Sequence, residues 1–277
     1  MAVSGPRGGG QSPTRYPMRN STDDEAARLG KLQGLHDGAT IRHLLALGVG
    51  PGQACLELGA GAGSIARWMA DQVGPTGTVT AVDRDTSQLE QLGRAAHVSV
   101  VEDDLTTMSF PAGAYDVIHT RSVLMHVDDA TAVVRRLVPA LRPGGAVLFE
   151  EADGAPAATA VDPPAPFVAV MVPLARRWTW ARGAAELLGR LGLMDVHDDV
   201  RDGPLTGGSP VGAFWQHTLR SIRVYLTDPR RAGATGGAVD DATVDAMLAL
   251  LDDPRFSVPF ARRHNVSGRR ATTATAS

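Results

Sequence analysis

Gln53-Ala54-Cys55-Leu56-Glu57-Leu58-Gly59-Ala60-Gly61-Ala62-Gly63-Ser64 is the stretch on which the reading of the whole chain turns. Ala54, Cys55, Leu56 and Leu58 make a short apolar run holding one acid, Glu57, and three alternating glycines follow at once. An apolar run that ends in glycines reads as a buried parallel strand entering a tight turn. Beyond the turn, Ile65, Ala66, Trp68, Met69 and Val73 recur at helical spacing. Glycine has no Cβ, so it tolerates positive φ and lets a ligand approach the backbone. The helix that follows turns its first N–H groups and positive dipole end toward the same place. A strand, a bare turn and a helix in this order predict a nucleotide-cofactor crossing.

Working outward, the same rhythm repeats. Strands are predicted at Thr78–Val82 before Asp83, at Val98–Val101 before Glu102-Asp103-Asp104, within Ala114–Thr120, and at Ala146–Phe149 before Glu150-Glu151. Helices are predicted between them, at Ser87–Ala96 and Asp129–Leu141. Two outer helices precede the first strand, one from Asp23 through Leu35 and one over Ala39–Leu47. This alternation predicts an α/β fold: a doubly wound, Rossmann-like, mostly parallel sheet with helices on both faces. After Asp153 the rhythm breaks into helices at Phe167–Leu174, Trp178–Leu191, Pro210–Leu226 and Asp240–Leu251, with strands at Met194–Val200 and Phe256–Ser267. The expected organisation is a disordered tail over residues 1–22, one domain over 23–268 and a flexible tail over 269–277. Within the domain, 37–153 is the cofactor-binding core, 154–192 and 203–255 form a helical cap, and 193–202 and 256–268 supply closing strands. The cap carries three of the four tryptophans, Trp178, Trp180 and Trp215, together with Phe214 and Tyr225.

The formal net charge of −3 over 277 residues gives no polyelectrolyte signature, so nucleic acid is not an expected partner. Lys31 is the only lysine. The single cysteine, Cys55, excludes an internal disulfide framework and points to a reducing compartment. The N-terminus lacks an apolar core segment, so neither a signal peptide nor a membrane anchor is expected there, and a cytoplasmic protein is.

Two cofactors compete for the glycine turn. Gly61-Ala62-Gly63-Ser64-Ile65-Ala66 fits the G-x-G-x-x-A variant of the dinucleotide fingerprint with Asp83 downstream, which would make the chain an NAD(P)-dependent oxidoreductase. Against this, Glu57 stands two residues before the first glycine, where a carboxylate repels a pyrophosphate and attracts an ammonium. With Val82-Asp83, Asp103-Asp104, Tyr115-Asp116-Val117-Ile118 and Leu141-Arg142-Pro143-Gly144-Gly145 in order, the chain resembles the class I S-adenosylmethionine-dependent methyltransferases over about residues 37–153. The phrases Val73–Val79, Arg121–His126 and Gly144–Glu150 are similar to the small-molecule branch found in natural-product and quinone pathways.

That resemblance implies a seven-stranded sheet, S-adenosyl-L-methionine as cofactor, S-adenosyl-L-homocysteine as product, and a small-molecule acceptor; it allows a homodimer. It implies that Glu57 faces the methionine ammonium, directly or through water, and that Gly59, Ala60, Gly61 and Gly63 let the cofactor approach. Asp83, with Arg84 beside it, would hold the ribose hydroxyls, and Asp104 and Leu105 the adenine. The Thr120 carbonyl, followed by Arg121, would reach the ammonium, and Tyr16 would fold over the cofactor from the N-terminal segment. Vicinal hydroxyls suit a bidentate carboxylate, and an exocyclic amine suits an acceptor. His126 and Glu151, following the fourth and fifth strands, are the candidate bases; His126 alternatively caps the helix after Asp128-Asp129. No metal-ligating constellation accompanies them. The cap aromatics predict an apolar or aromatic acceptor, methylated at oxygen, nitrogen or carbon.

Overall fold

The computed structural model describes residues 23–231, 233 and 235–272. The tail expected over residues 1–22, and Tyr16 with it, lies outside the described residues. Seven strands form one sheet: β1 (Ala54–Leu58), β2 (Thr78–Asp83), β3 (Val98–Glu102), β4 (Tyr115–Arg121), β5 (Leu141–Asp153), β6 (Met194–Thr206) and β7 (Ser257–Arg269). Their order is β3-β2-β1-β4-β5-β7-β6. The first five are parallel, while β7 runs antiparallel to both β5 and β6. In a dinucleotide fold a further parallel strand stands beside the fifth. Here antiparallel β7 takes that place, which removes the fold-level support for the oxidoreductase alternative.

The helices are α1 (Asp23–Ala46), α2 (Ser64–Val73), α3 (Ala130–Leu137), α4 (Ala165–Ala175), α5 (Ala184–Arg190), α6 (Pro210–Thr227) and α7 (Asp241–Asp252). Strand residues alternate between the faces of the sheet. Leu56, Leu58, Ile118, Val147 and Phe149 pack on one face with Val133, Val134 and Leu137 of α3 and Leu187 and Leu188 of α5. Cys55, Val79, Ala81, Val117 and Leu148 pack on the other with Ile65, Ala66 and Met69 of α2 and Leu44 of α1. A third cluster joins α4, α6 and α7 to Leu205, Val258 and Phe260 at the ends of β6 and β7. No helix among the described residues is long and apolar enough to cross a membrane.

Four expectations are corrected. The two outer helices are one, α1, although Gly38 sits inside it. Glycine in a helix interior costs about 1 kcal/mol. That cost is offset by anchoring on either side of Gly38, through an Arg121–Asp37 ion pair at 2.8 Å and a Thr40–Glu150 hydrogen bond. The helix predicted at Ser87–Ala96 is reduced to a short 3-10 turn, Leu92–Arg94. Asp85 Oδ1 accepts from Ser87 N at 3.2 Å, and Gly93 lies so close to β3 that a Cβ there would be 3.3 Å from Val100 Cγ2. Local side-chain bonds of this kind compete with helix formation. Within Trp178–Leu191 the first turn is 3-10, and only Ala184–Arg190 is α-helical. Lastly, the C-terminal tail is ordered past its predicted start at residue 269, because Arg270 exchanges backbone hydrogen bonds with Gly144 and Gly145.

Candidate active site

The carboxyl ends of β1 to β5 meet along one edge of the sheet, the place where open α/β folds bind ligands. A cavity of about 890 Å³ opens there. Gly59, Gly61, Asp83, Arg84, Asp104, Leu105, Arg121 and His126 all line it. The structure therefore brings most of the predicted cofactor residues together.

Each is positioned by its element. Gly59 and Gly61 leave β1 with φ of 69° and 56°. A Cβ on Gly59 would lie 2.1 Å from Val123 Cγ2, so only glycine fits between β1 and the loop after β4. Gly63 caps α2 in the left-handed conformation, with φ of 77°. Asp83 ends β2 and accepts from Gly61 N at 2.8 Å through Oδ2 and from Asp85 N at 3.1 Å through Oδ1. Burial raises the Asp83 pKa, and the backbone donors of Gly61, Asp85 and Arg84 oppose that. Asp104 accepts from Thr106 N at 2.8 Å and Thr106 Oγ1 at 2.6 Å. Each carboxylate oxygen has two lone pairs, so the two Thr106 bonds, both on Oδ1, do not exhaust Asp104. Arg121 reaches Thr40 Oγ1 at 2.9 Å and Asp37 Oδ1 at 2.8 Å, tying α1 to the end of β4.

Other predicted residues have different places. Glu57 is 4% exposed and absent from the cavity wall, and its Oε2 is 2.7 Å from His119 Nδ1. It is the inner end of a buried relay. His119 Nε2 is 3.2 Å from Glu150 Oε2, His43 Nδ1 is 3.1 Å from Glu150 Oε1, and His43 Nε2 is 3.1 Å from Asp199 Oδ2. Burial lowers the His119 pKa, but the Glu57 charge and the bonds to Glu150 and Glu57 outweigh it and raise the value to about 9. Ala60 faces the core, and its N–H is taken by the Val82 carbonyl at 3.0 Å. Thr120 is fully buried within β4, with its hydroxyl unpartnered among the described residues.

Of the two candidate bases, only His126 lines the cavity. Burial, with Arg28, Arg177 and Arg84 nearby, pushes its pKa down to about 3, so the imidazole is neutral at physiological pH. Glu151 is not part of the cavity lining and holds the loop after β4 instead. Its two oxygens accept from Val123 N, Leu124 N and Met125 N at 3.0 to 3.1 Å, fixing the loop after β4. Burial lifts its pKa to about 7 against those three donors.

The far wall of the cavity is aromatic. Trp178, Phe214 and Trp215 line it together with Phe260 of β7. Trp215 stands edge-on to Phe260 at 5.1 Å and to Phe214 at 5.5 Å, and tilted against Trp178 at 5.6 Å. Trp180 instead packs on Phe149 at 6.1 Å, and Tyr225 belongs to the third core cluster. Sequence reading missed Phe260, His36 and Arg263 of the lining, since each sits outside the glycine-turn region and no motif marks it. Their signal was only the alternation of β7 and the helical face of α1.

Residues 56–149 match the model of a methyltransferase domain. The chain is 32% identical over 111 residues to the ubiquinone/menaquinone biosynthesis C-methyltransferase UbiE of Ectopseudomonas mendocina, covering 38% of this chain and 43% of that protein. It is 30% identical over 138 residues to methyltransferase str2 of Strobilurus tenacellus, covering 48% of each. The match thus spans less than half the length of these curated relatives. The structure resembles Haemonchus contortus phosphoethanolamine N-methyltransferase 2 in complex with phosphomonomethylethanolamine and S-adenosylhomocysteine. The TM-score is 0.51 at 18% identity, over 89% of this chain and 52% of that one, a likeness of fold alone. With the glycine turn, the strand-end acids and the antiparallel seventh strand in the places described, the chain is similar to the class I S-adenosylmethionine-dependent methyltransferases, the match to a methyltransferase domain covering residues 56–149.

Proposed function

We propose that the protein is an S-adenosylmethionine-dependent methyltransferase acting on an apolar or aromatic small molecule of the secondary-metabolite kind. One observation carries the reading. A single cavity runs from the glycine turn and the acids Asp83 and Asp104 to the wall of Trp178, Phe214, Trp215 and Phe260. At about 890 Å³ it lies toward the upper end of the roughly 300–1,000 Å³ range of small-molecule sites, leaving room for two ligands side by side.

The donor set fits the cofactor. Acceptor carboxylates at the ends of β2 and β3 suit ribose hydroxyls and an adenine amine, and Gly59 and Gly61 leave the backbone bare between them. Asp83 would hold the ribose, and Asp104 with the Leu105 backbone the adenine. When bound, the cofactor supplies an activated methyl group on a sulfonium. The chain's own work is alignment and exclusion of water, which dominate when a displacement needs little proton transfer. The aromatic wall would hold a flat acceptor and keep that end of the cavity dry. His126, neutral and on the wall, would accept a hydrogen bond and so orient an acceptor hydroxyl or amine. With a pKa of about 3 it is a positioning group rather than a strong base. Clamped Glu151 would act through the loop that carries His126.

Calorimetric titration tests this reading. S-adenosylhomocysteine should bind the wild-type protein, with no heat from NAD or NADP. Heat from the nicotinamide cofactors alone would refute it.

A further inference from the structure

Arg263 is the anomaly of the cavity. It projects from β7 into the lining, opposite Ala152 of β5 and Arg201 of β6. Among the described residues its side chain makes two long hydrogen bonds, both from Nη2 to neutral oxygens: 3.3 Å to Ser122 Oγ and 3.4 Å to the Glu150 carbonyl. Arg121, Arg201 and Arg262 are committed, to Asp37, Asp199 and Asp202, while Arg42 and Arg84, which also line the cavity, are exposed. The nearest carboxylates are committed as well. Glu150 is held by Thr40, His43 and His119, and Glu151 by three backbone N–H groups. A guanidinium carries five donors in a planar fork, and the two bonds here use only one of its nitrogens. His36, across the cavity on α1, cannot supply negative charge. Burial, with Arg263 and Arg121 nearby, pushes its pKa down to about 3.

Resting on the methyltransferase reading above, we propose that Arg263 receives the carboxylate of the acceptor, so that the substrate is an aromatic carboxylic acid. The ring would lie against the Trp215–Phe260 wall and the carboxylate would meet the guanidinium fork, the pairing for which arginine is geometrically suited. A monoanion is favoured over a phosphate dianion. Glu150 and Glu151 already place negative charge near Arg263, and each further charge on a ligand adds to that repulsion, so a single carboxylate is held at lower cost than a dianion.

The test is calorimetry with saturating S-adenosylhomocysteine, using benzoate, 4-hydroxybenzoate and indole-3-acetate, each against its methyl ester, and phenyl phosphate as the dianion. At least one acid should bind tenfold or more tightly than its ester. Arg263→Gln should abolish that preference while S-adenosylhomocysteine affinity stays within twofold, and Arg263→Lys should restore part of it. The proposal falls if no acid is preferred over its ester, a comparison that needs only the wild-type protein. It also falls if the preference survives Arg263→Gln, or if phenyl phosphate outcompetes every carboxylate. Loss of S-adenosylhomocysteine binding in Arg263→Gln would assign the guanidinium to the cofactor or the fold, and overturns it too. If the wild type does not bind S-adenosylhomocysteine, it is the methyltransferase reading that fails. Acid-over-ester preference measured without it then still decides the role of Arg263.

Discussion

At the scale of single residues, Asp83 shows how a side chain can serve the fold and a ligand at once. Its Oδ2 fixes the glycine turn through Gly61 N at 2.8 Å, and the residue also lines the cavity. Asp83→Ala should therefore weaken S-adenosylhomocysteine binding by about 1–3 kcal/mol, the cost of leaving polar groups unmatched. Titration calorimetry reads this directly, and unchanged affinity would remove Asp83 from the site. Asp83, Asp104 and the glycines were legible in sequence because strand ends, turns and helix starts are local patterns. Glu57 was legible as an acid needing a partner, but not as to which one. Its partner His119 lies 62 residues away and becomes a neighbour only because β1 and β4 pair with Glu57 opposite His119.

At the scale of elements, the relay Asp199–His43–Glu150–His119–Glu57 joins β6, α1, β5, β4 and β1. Removing the imidazole between Glu150 and Glu57 leaves Glu57 buried without its partner and takes one bond from Glu150. His119→Leu should cost about 3–5 kcal/mol of unfolding free energy, measured by urea denaturation. The pH dependence follows from the two shifts. The His119 pKa is raised from 6.5 to about 9, so its contribution is complete below about 6.5 and lost as pH rises through about 9. Burial pushes Glu150 up, but its bonds to His119 and His43 hold it below the usual 4.5. Its contribution is therefore complete above that value and lost as pH falls through the lower folded value. The urea midpoint of the wild type should thus fall between pH 7 and 9, and that fall should be shallower in His119→Leu. Equal slopes would show that the imidazole carries no charge in the folded protein. None of this could be read from the chain, where the relay's contacts span 31 to 156 residues.

At the scale of the whole molecule, sheet, α1 and cap enclose one cavity, so a ligand there should bind only the folded state. S-adenosylhomocysteine at ~100 times its Kd should add about 2.7 kcal/mol. With a shift of about 2–4 °C per kcal/mol for domains of this order of size, the melting temperature should rise by roughly 5–10 °C. A scanning-calorimetry shift below about 2 °C at that saturation would argue against a site walled by several elements. Hydrophobic periodicity and glycine placement alone determined the first five strands, the crossing at Gly59–Gly63 and the acids at the strand ends, because each is written in contiguous residues. The tertiary structure decided what depends on packing across the chain. It fused the outer helices into α1, replaced the Ser87–Ala96 helix with a turn, and buried Glu57 behind the turn. It also made Glu151 a clamp, chose three of the five cap aromatics for the wall, and brought Phe260 and Arg263 to face them. Side-chain partners and cavity walls are set by strand order and register, and those exist only once the sheet has closed.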